Sequence, residues 1–154
     1  MHIRVIAVGK LRDKYIAELI NKYAKRLPRG ATMEWVEVAA EQGGKDVKQA
    51  LMKEAARIRA QIPERAHVSS LSERGREQNS VEFARLLGRI RDEGRDACFI
   101  IGSADGLDST LLKSADQVLS LSRLTFPHEL VRAILAEQIY RAFSILAGHP
   151  YHRE

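Results

Sequence analysis

This 154-residue sequence has one cysteine, four prolines and no long hydrophobic run. The single Cys98 excludes an internal disulfide. Its setting, Ala97-Cys98-Phe99-Ile100-Ile101, makes it a buried strand residue rather than a nucleophile. No apolar stretch approaches membrane-spanning length, and the apolar start from Met1 to Val8 is too short for a signal peptide, so a reducing cytoplasm and no membrane partner are expected. Internal repeats, low-complexity tracts and long linkers are lacking too. The first strand is not followed by the glycine pattern that a nicotinamide pyrophosphate needs, which argues against a Rossmann-type oxidoreductase.

What is present supports one folded unit. An apolar content of 45% over 154 residues suffices for one core and reads as a single domain, 1–154. Lysine and arginine number 25 against 20 acids, a net charge of +5 that favours an anionic partner. Charge alone does not identify nucleic acid, because Lys53-Glu54, Arg74-Gly75-Arg76-Glu77 and Arg91-Asp92-Glu93 interleave the two signs as ordinary solvated faces do.

Strands and helices alternate along the chain. Ile3 to Val8 reads as a buried strand, and Tyr15, Leu19, Ile20 and Tyr23 recur at helical spacing until Pro28-Arg29-Gly30. Met33 to Val38 alternates like a strand. Gly43-Gly44 opens a helix through Leu51, Ala55 and Ile58, His67 to Leu71 is a short strand, and Val81 to Ile90 is a helix ended near Gly94. Ala97 to Ile101 is the most apolar strand. A helical turn near Leu111-Leu112, a strand from Val118 to Leu121 and a long helix from Pro127 to Gly148 complete the chain. The pattern predicts an α/β fold, a mostly parallel sheet with helices on both faces.

Ligands of such sheets bind beyond the carboxyl ends of the strands, which directs attention to the loops after Leu71, Ile101 and Leu121. Gly102-Ser103-Ala104-Asp105-Gly106 offers backbone amides in a tight turn, although a plain Asp-Gly connector has the same composition. Leu121-Ser122-Arg123-Leu124-Thr125-Phe126-Pro127-His128 mixes apolar, hydroxyl, cationic and imidazole groups in a way that suits an adenine. On the last helix Glu137 and Arg141 are spaced to pair, which by itself describes a surface salt bridge. This helix carries more apolar positions, among them Ile134, Ile139 and Phe143, than one sheet face needs, so dimerisation through 129–147 is expected. The end, Gly148-His149-Pro150-Tyr151-His152-Arg153-Glu154, is unusually rich in chemistry, but His149 and His152 have no third metal ligand nearby.

Thr125-Phe126-Pro127-His128, Glu137-Gln138-Ile139-Tyr140-Arg141-Ala142, the terminal His149 to Glu154 and the early Ala7-Val8-Gly9-Lys10-Leu11 together resemble the RlmH family of SPOUT-class methyltransferases along the whole chain. The resemblance implies a C-terminal trefoil (α/β) knot, an exception to the rule that connections do not thread loops and one that periodicity cannot reveal. It implies S-adenosyl-L-methionine as methyl donor, a homodimer whose active site draws on both subunits, and methylation of N3 of a pseudouridine in 23S rRNA of the assembled ribosome. By position, Leu71, Gly102, Gly106, Leu121, Ser122, Arg123, Leu124, Thr125 and Phe126 line the cofactor pocket. His128, Arg132, Arg141, Tyr151, His152 and Arg153 stand on the RNA side. One departure is Ser103, where the family usually has a second glycine, so the backbone there must tolerate a Cβ.

For the reaction, His128 or a tail imidazole is expected to accept the N3 proton, or else Arg132 or Arg153 stabilises the developing charge while the proton leaves to solvent. The rival from another class is a non-catalytic ribosome-associated RNA-binding protein. Such a protein needs the basic surface but no organised cofactor loop.

Overall fold

A computed structural model describes residues 1–42, 44 and 46–153, so Gly43 of the expected helix-opening pair and the final Glu154 lie outside the described residues. Among the described residues ten elements alternate strictly: β1 (His2–Val8), α1 (Lys14–Lys25), β2 (Thr32–Val38), α2 (Val47–Arg59), β3 (His67–Glu77), α3 (Ser80–Asp92), β4 (Ala97–Ile101), α4 (Ser109–Ser114), β5 (Gln117–Ser120) and α5 (His128–Leu146). The strands form one sheet in the order β2-β1-β4-β3-β5, and every pairing is parallel.

The period of two in the strands sorts the core into two layers. Ile3, Val5 and Ala7 of β1 and Phe99 and Ile101 of β4 pack against α3 and α5. Ile6, Val8, Cys98 and Ile100, which alternate with them, pack against α2 and α4. Because β4 is covered on both faces, all five of its residues are buried, as its uninterrupted apolar sequence requires. Helix α1 lies outside α5, with the Tyr23 and Tyr140 rings 5.7 Å apart.

Helix starts follow local chemistry. Asp13, Asp46 and Asp108 each accept a backbone N–H in the first turn of α1, α2 and α4, and Asn79 forms a capping box with Glu82 at α3. Helix α5 instead begins after Pro127 with no side-chain cap.

The expected parallel α/β sheet is present, with one departure of consequence. β3 continues to Glu77 rather than stopping at Leu71. Its register against β5 jumps between Leu71 and Arg76, both of which face Leu119, so four residues bulge from the ladder before pairing resumes. The polar, glycine-containing run from Ser72 to Arg76 looks like a loop in sequence but is partly hydrogen-bonded as a strand. Gly75 makes this possible: a Cβ there would lie 2.7 Å from backbone atoms of Val118 and Leu119.

Candidate active site

Beyond the carboxyl ends of β3, β4 and β5 lies a cavity of about 530 Å³. Three loops form it. The β3 bulge contributes Leu71 to Arg74, the turn after β4 contributes Ile101 to Leu107, and the segment after β5 contributes Leu121, Ser122 and 124–128. Its size falls within the range of small-molecule and cofactor sites. Of the residues expected here, Leu71, Gly102, Gly106, Leu121, Ser122, Leu124, Thr125 and Phe126 all line it. Arg123 does not. Its side chain is 87% exposed and faces Glu77 at 3.4 Å, outside the cavity, where the guanidinium keeps its hydration.

The β4 turn is shaped by its glycines. Gly106 has φ +89°, and Ser103 and Gly106 form an antiparallel bridge with Gly106 N–H donating to the Ser103 carbonyl at 2.9 Å. A Cβ on Gly102 would fall against the Gly106 carbonyl and 2.9 Å from Leu107 Cγ. Ser103 fits without strain, since its φ is not in the left-handed region and its Oγ donates to Glu54 Oε2 at 3.2 Å. Glu54, buried on α2, also accepts the Glu41 N–H at 3.0 Å. The extra Cβ at Ser103 thus becomes an anchor to α2.

The opposite wall is fixed by hydroxyls. Thr125 Oγ1 donates to Glu73 Oε2 at 2.8 Å, Ser120 Oγ donates to the Ser122 carbonyl at 2.9 Å, and the Leu124 N–H donates to Ser122 Oγ at 3.0 Å. His128 and Val131 bring in the start of α5, where Pro127 leaves the first N–H groups without a side-chain acceptor at the cavity wall. Glu73 and Asp105 place carboxylates around the cavity, and Arg74 and His128 place cationic or ionisable nitrogens there. Glu73, Arg74, Asp105 and Leu107 lie in or beside loops the sequence singled out but were not themselves named as site residues. The bulge in β3 delivers the first two, and no periodicity signals it.

The remaining residues expected at the site form a second group. Arg141 pairs with Glu137 through Nε at 2.9 Å, and Glu137 accepts the Tyr151 hydroxyl at 3.0 Å. The Tyr151 ring stacks edge-on against Tyr140 at 4.8 Å, and the Arg141 guanidinium lies 4.8 Å from the Tyr151 centroid. Burial, with hydrogen bonds to Tyr23 and Glu137, raises the Tyr151 phenol far above its ordinary range, so it stays protonated. Arg141 Nη1 lies 3.2 Å from His152 Nδ1. Since guanidinium only donates, this bond requires Nδ1 to be bare, which leaves the proton of the neutral ring on Nε2. Arg153 is exposed. Glu137 and Arg141 stand nine and thirteen residues along α5 from His128, about 13–20 Å at the helical rise, so within one chain the tail group and the cavity are apart.

Arg132 belongs to neither group. Expected to face RNA, it is 1% exposed, and its guanidinium donates to the carbonyls of Gly9 at 2.8 Å and Val8 at 3.3 Å and to Glu37 at 3.3 Å. Buried, a guanidinium must find acceptors, and the end of β1 supplies them.

The model for the family described as predicted SPOUT methyltransferase matches residues 1–152, and the chain belongs to that class. Within it the chain belongs to the RlmH family. It is similar to the protein named ribosomal RNA large subunit methyltransferase H of Nitrosospira multiformis, with 46% identity over 99% of both chains. The like-named protein of Nitrosomonas eutropha is 42% identical over 99% of both chains, and that of Limosilactobacillus fermentum is 43% identical over 99% of this chain and 100% of its own. Among solved structures, the SpoU methyltransferase AviRb from Streptomyces viridochromogenes in complex with AdoMet aligns over 95% of this chain and 58% of its own, with 13% identity and a TM-score of 0.48.

Proposed function

We propose that this protein transfers the methyl group of S-adenosyl-L-methionine to N3 of a pseudouridine in 23S rRNA of the assembled ribosome, acting in the cytoplasm as a homodimer of one-domain subunits. The observation that carries this reading is the cavity at the carboxyl edge of the sheet, in a chain of this family, built by the three loops that the cofactor needs. The residues present fit that cofactor. The floor at Gly102 leaves no room for a side chain, the apolar wall of Leu71, Leu121 and Phe126 suits an adenine, and the uncapped start of α5 suits a carboxylate. When bound, S-adenosyl-L-methionine supplies an electrophilic methyl group.

The protein's own task is orientation, because an in-line approach held in place accounts for much of the acceleration of such transfers. The loop from Leu121 to Phe126, tied to Glu73, holds its shape. His128, at the cavity wall and without a hydrogen-bond partner among the described residues, is the group we assign to accept the N3 proton. His152, with Nε2 carrying the proton, is suited to donate a hydrogen bond to a base, whereas the Tyr151 proton is committed to Glu137. Arg153 is exposed and within the tail that would meet phosphate.

Separation of the tail from the cavity within one chain favours a site completed by the partner's tail. The surface for such a partner is narrower than the sequence suggests. Ile139 and Phe143 are buried in the chain's own core, but Leu130 is 40% exposed, and α1 beside it leaves Tyr15 70% exposed. The knot belongs to the same reading: the β3 continuation runs beside β5 in close contact at Gly75, and the segment leaving β5 is bound to that continuation through Glu73.

The test is incubation with ribosomes from a strain lacking its own enzyme, using labelled cofactor, followed by mapping of the methylated nucleotide. Label at N3 of one large-subunit pseudouridine is expected. Calorimetry that detects RNA binding but no binding of S-adenosyl-L-methionine would instead make the protein a non-catalytic RNA-binding factor.

A further inference from the structure

The connection after β1 combines a rigid backbone with unpaired charge. Val8 and Gly9 have their carbonyls held by Arg132, the Gly9 N–H donates to the Val38 carbonyl at 2.9 Å, the Leu11 N–H to Glu37 Oε2 at 2.7 Å, and the Arg12 N–H to Glu129 Oε1 at 2.7 Å. Asp13 likewise accepts the N–H groups of Tyr15 and Ile16. The three acids at this loop are therefore turned onto main-chain amides. Among the described residues no carboxylate lies within ion-pair distance of Lys10 or Arg12, and both side chains are exposed.

A five-residue loop fixed by one buried guanidinium and three carboxylates, with its cations left outward, is costly to maintain as a plain connector. A bare loop places the cations as well but lets them move. The position is informative too. Ala7 of β1 pairs with Ile101 of β4, so the loop leaves the sheet beside the turn that floors the cavity, and Arg12 is bonded to the residue that follows His128.

We propose that residues 9–13 form a phosphate-docking element for the RNA substrate, with Lys10 and Arg12 as its contacts and Arg132 as the residue that positions it. Phosphate contacts of this kind set the register of an RNA while base contacts inside the site specify it. The proposal rests on the reading that the substrate is RNA. Arg132 acts only through the loop, so its importance comes from a buried side chain that never meets the ligand.

The experiment measures methyl transfer to unmodified ribosomes at several KCl concentrations and fixed magnesium, with cofactor affinity by calorimetry alongside. For the variant Lys10→Ala with Arg12→Ala, KM for ribosomes is expected to rise several-fold, kcat and cofactor affinity to hold, and the salt dependence of kcat/KM to flatten by about one unit of slope per cation removed. Arg132→Met should raise KM in the otherwise native protein but add nothing once Lys10 and Arg12 are gone, and Arg132→Lys should restore part of the loss. If Arg132→Met does not fold, the Arg132→Lys variant in both backgrounds carries the same comparison. Unchanged KM and salt slope in the Lys10/Arg12 variant, or an equal effect of the Arg132 change in both backgrounds, overturns the proposal while wild-type methylation stands. A wild-type protein that neither binds nor methylates the RNA overturns the functional reading and the docking element with it.

Discussion

At Gly102 the whole site depends on one missing methyl. Its Cβ would displace the Gly106 carbonyl and with it the turn that floors the cavity. Gly102→Val is expected to abolish S-adenosyl-L-methionine binding in calorimetry while circular dichroism retains the fold, since the disturbance is confined to 102–107. Unchanged affinity would remove Gly102 from the pocket. Cys98 is a case of the opposite kind. Fully buried, with its thiol pushed up to about 12 by desolvation, it should resist alkylation at pH 8 in native protein and react on denaturation, which mass spectrometry reads directly. Rapid native labelling would contradict its place in the sheet. Leu71, Gly102, Gly106 and most of the Leu121 to Phe126 loop could be placed at the cavity from sequence because loops at the carboxyl edge of parallel strands are where ligands bind. Arg123 and Arg132 were not legible, because sequence gives a residue's neighbourhood but not the direction of its side chain.

Among the elements, β3 and α5 carry most of what periodicity left out. The alternation of strands and helices was visible because each strand is bounded by glycine or a charged cluster. The second half of β3 was hidden, because its residues are polar and its hydrogen bonds resume only after a four-residue bulge. Gly75 is the point of contact. Gly75→Ala should force β3 and β5 apart and lower stability by about 2 kcal/mol or more, measured by urea melts, with Ser72 to Arg74 displaced and cofactor affinity falling together with it. An unchanged midpoint would mean that the strands do not approach so closely. At the other end of the chain, removing the tail from Tyr151 onward should eliminate ribosome methylation and leave cofactor affinity intact, because its contacts run to Tyr140, Glu137 and Arg141 rather than to the cavity. If the tail only braces α5, truncation will lower the melting temperature in step with activity, and full activity in the truncated protein removes it from the mechanism.

For the molecule as a whole, the proposed completion of the cavity by a partner's tail would make assembly part of the chemistry. A dimer is expected by light scattering at micromolar concentration, and Leu130→Glu together with Tyr15→Glu should yield monomers that bind cofactor but do not methylate. An active wild-type monomer would place the complete site in one chain and contradict this. The bond between Arg132 and Gly9 has a further consequence, for synthesis rather than for catalysis. It joins residues 123 positions apart, and the Arg12–Glu129 bond spans 117. The first strand is thus finished by the last helix, and β1 gains its neighbour β4 only after some ninety intervening residues, as the His2–Asp96 bond records. Non-local pairing of this kind delays folding. A nascent chain that has emerged as far as β3 has an apolar strand with one face open and its end unbound, a state prone to association. Productive folding therefore waits until α5 has left the ribosome, so the strand made first is among the last to be completed.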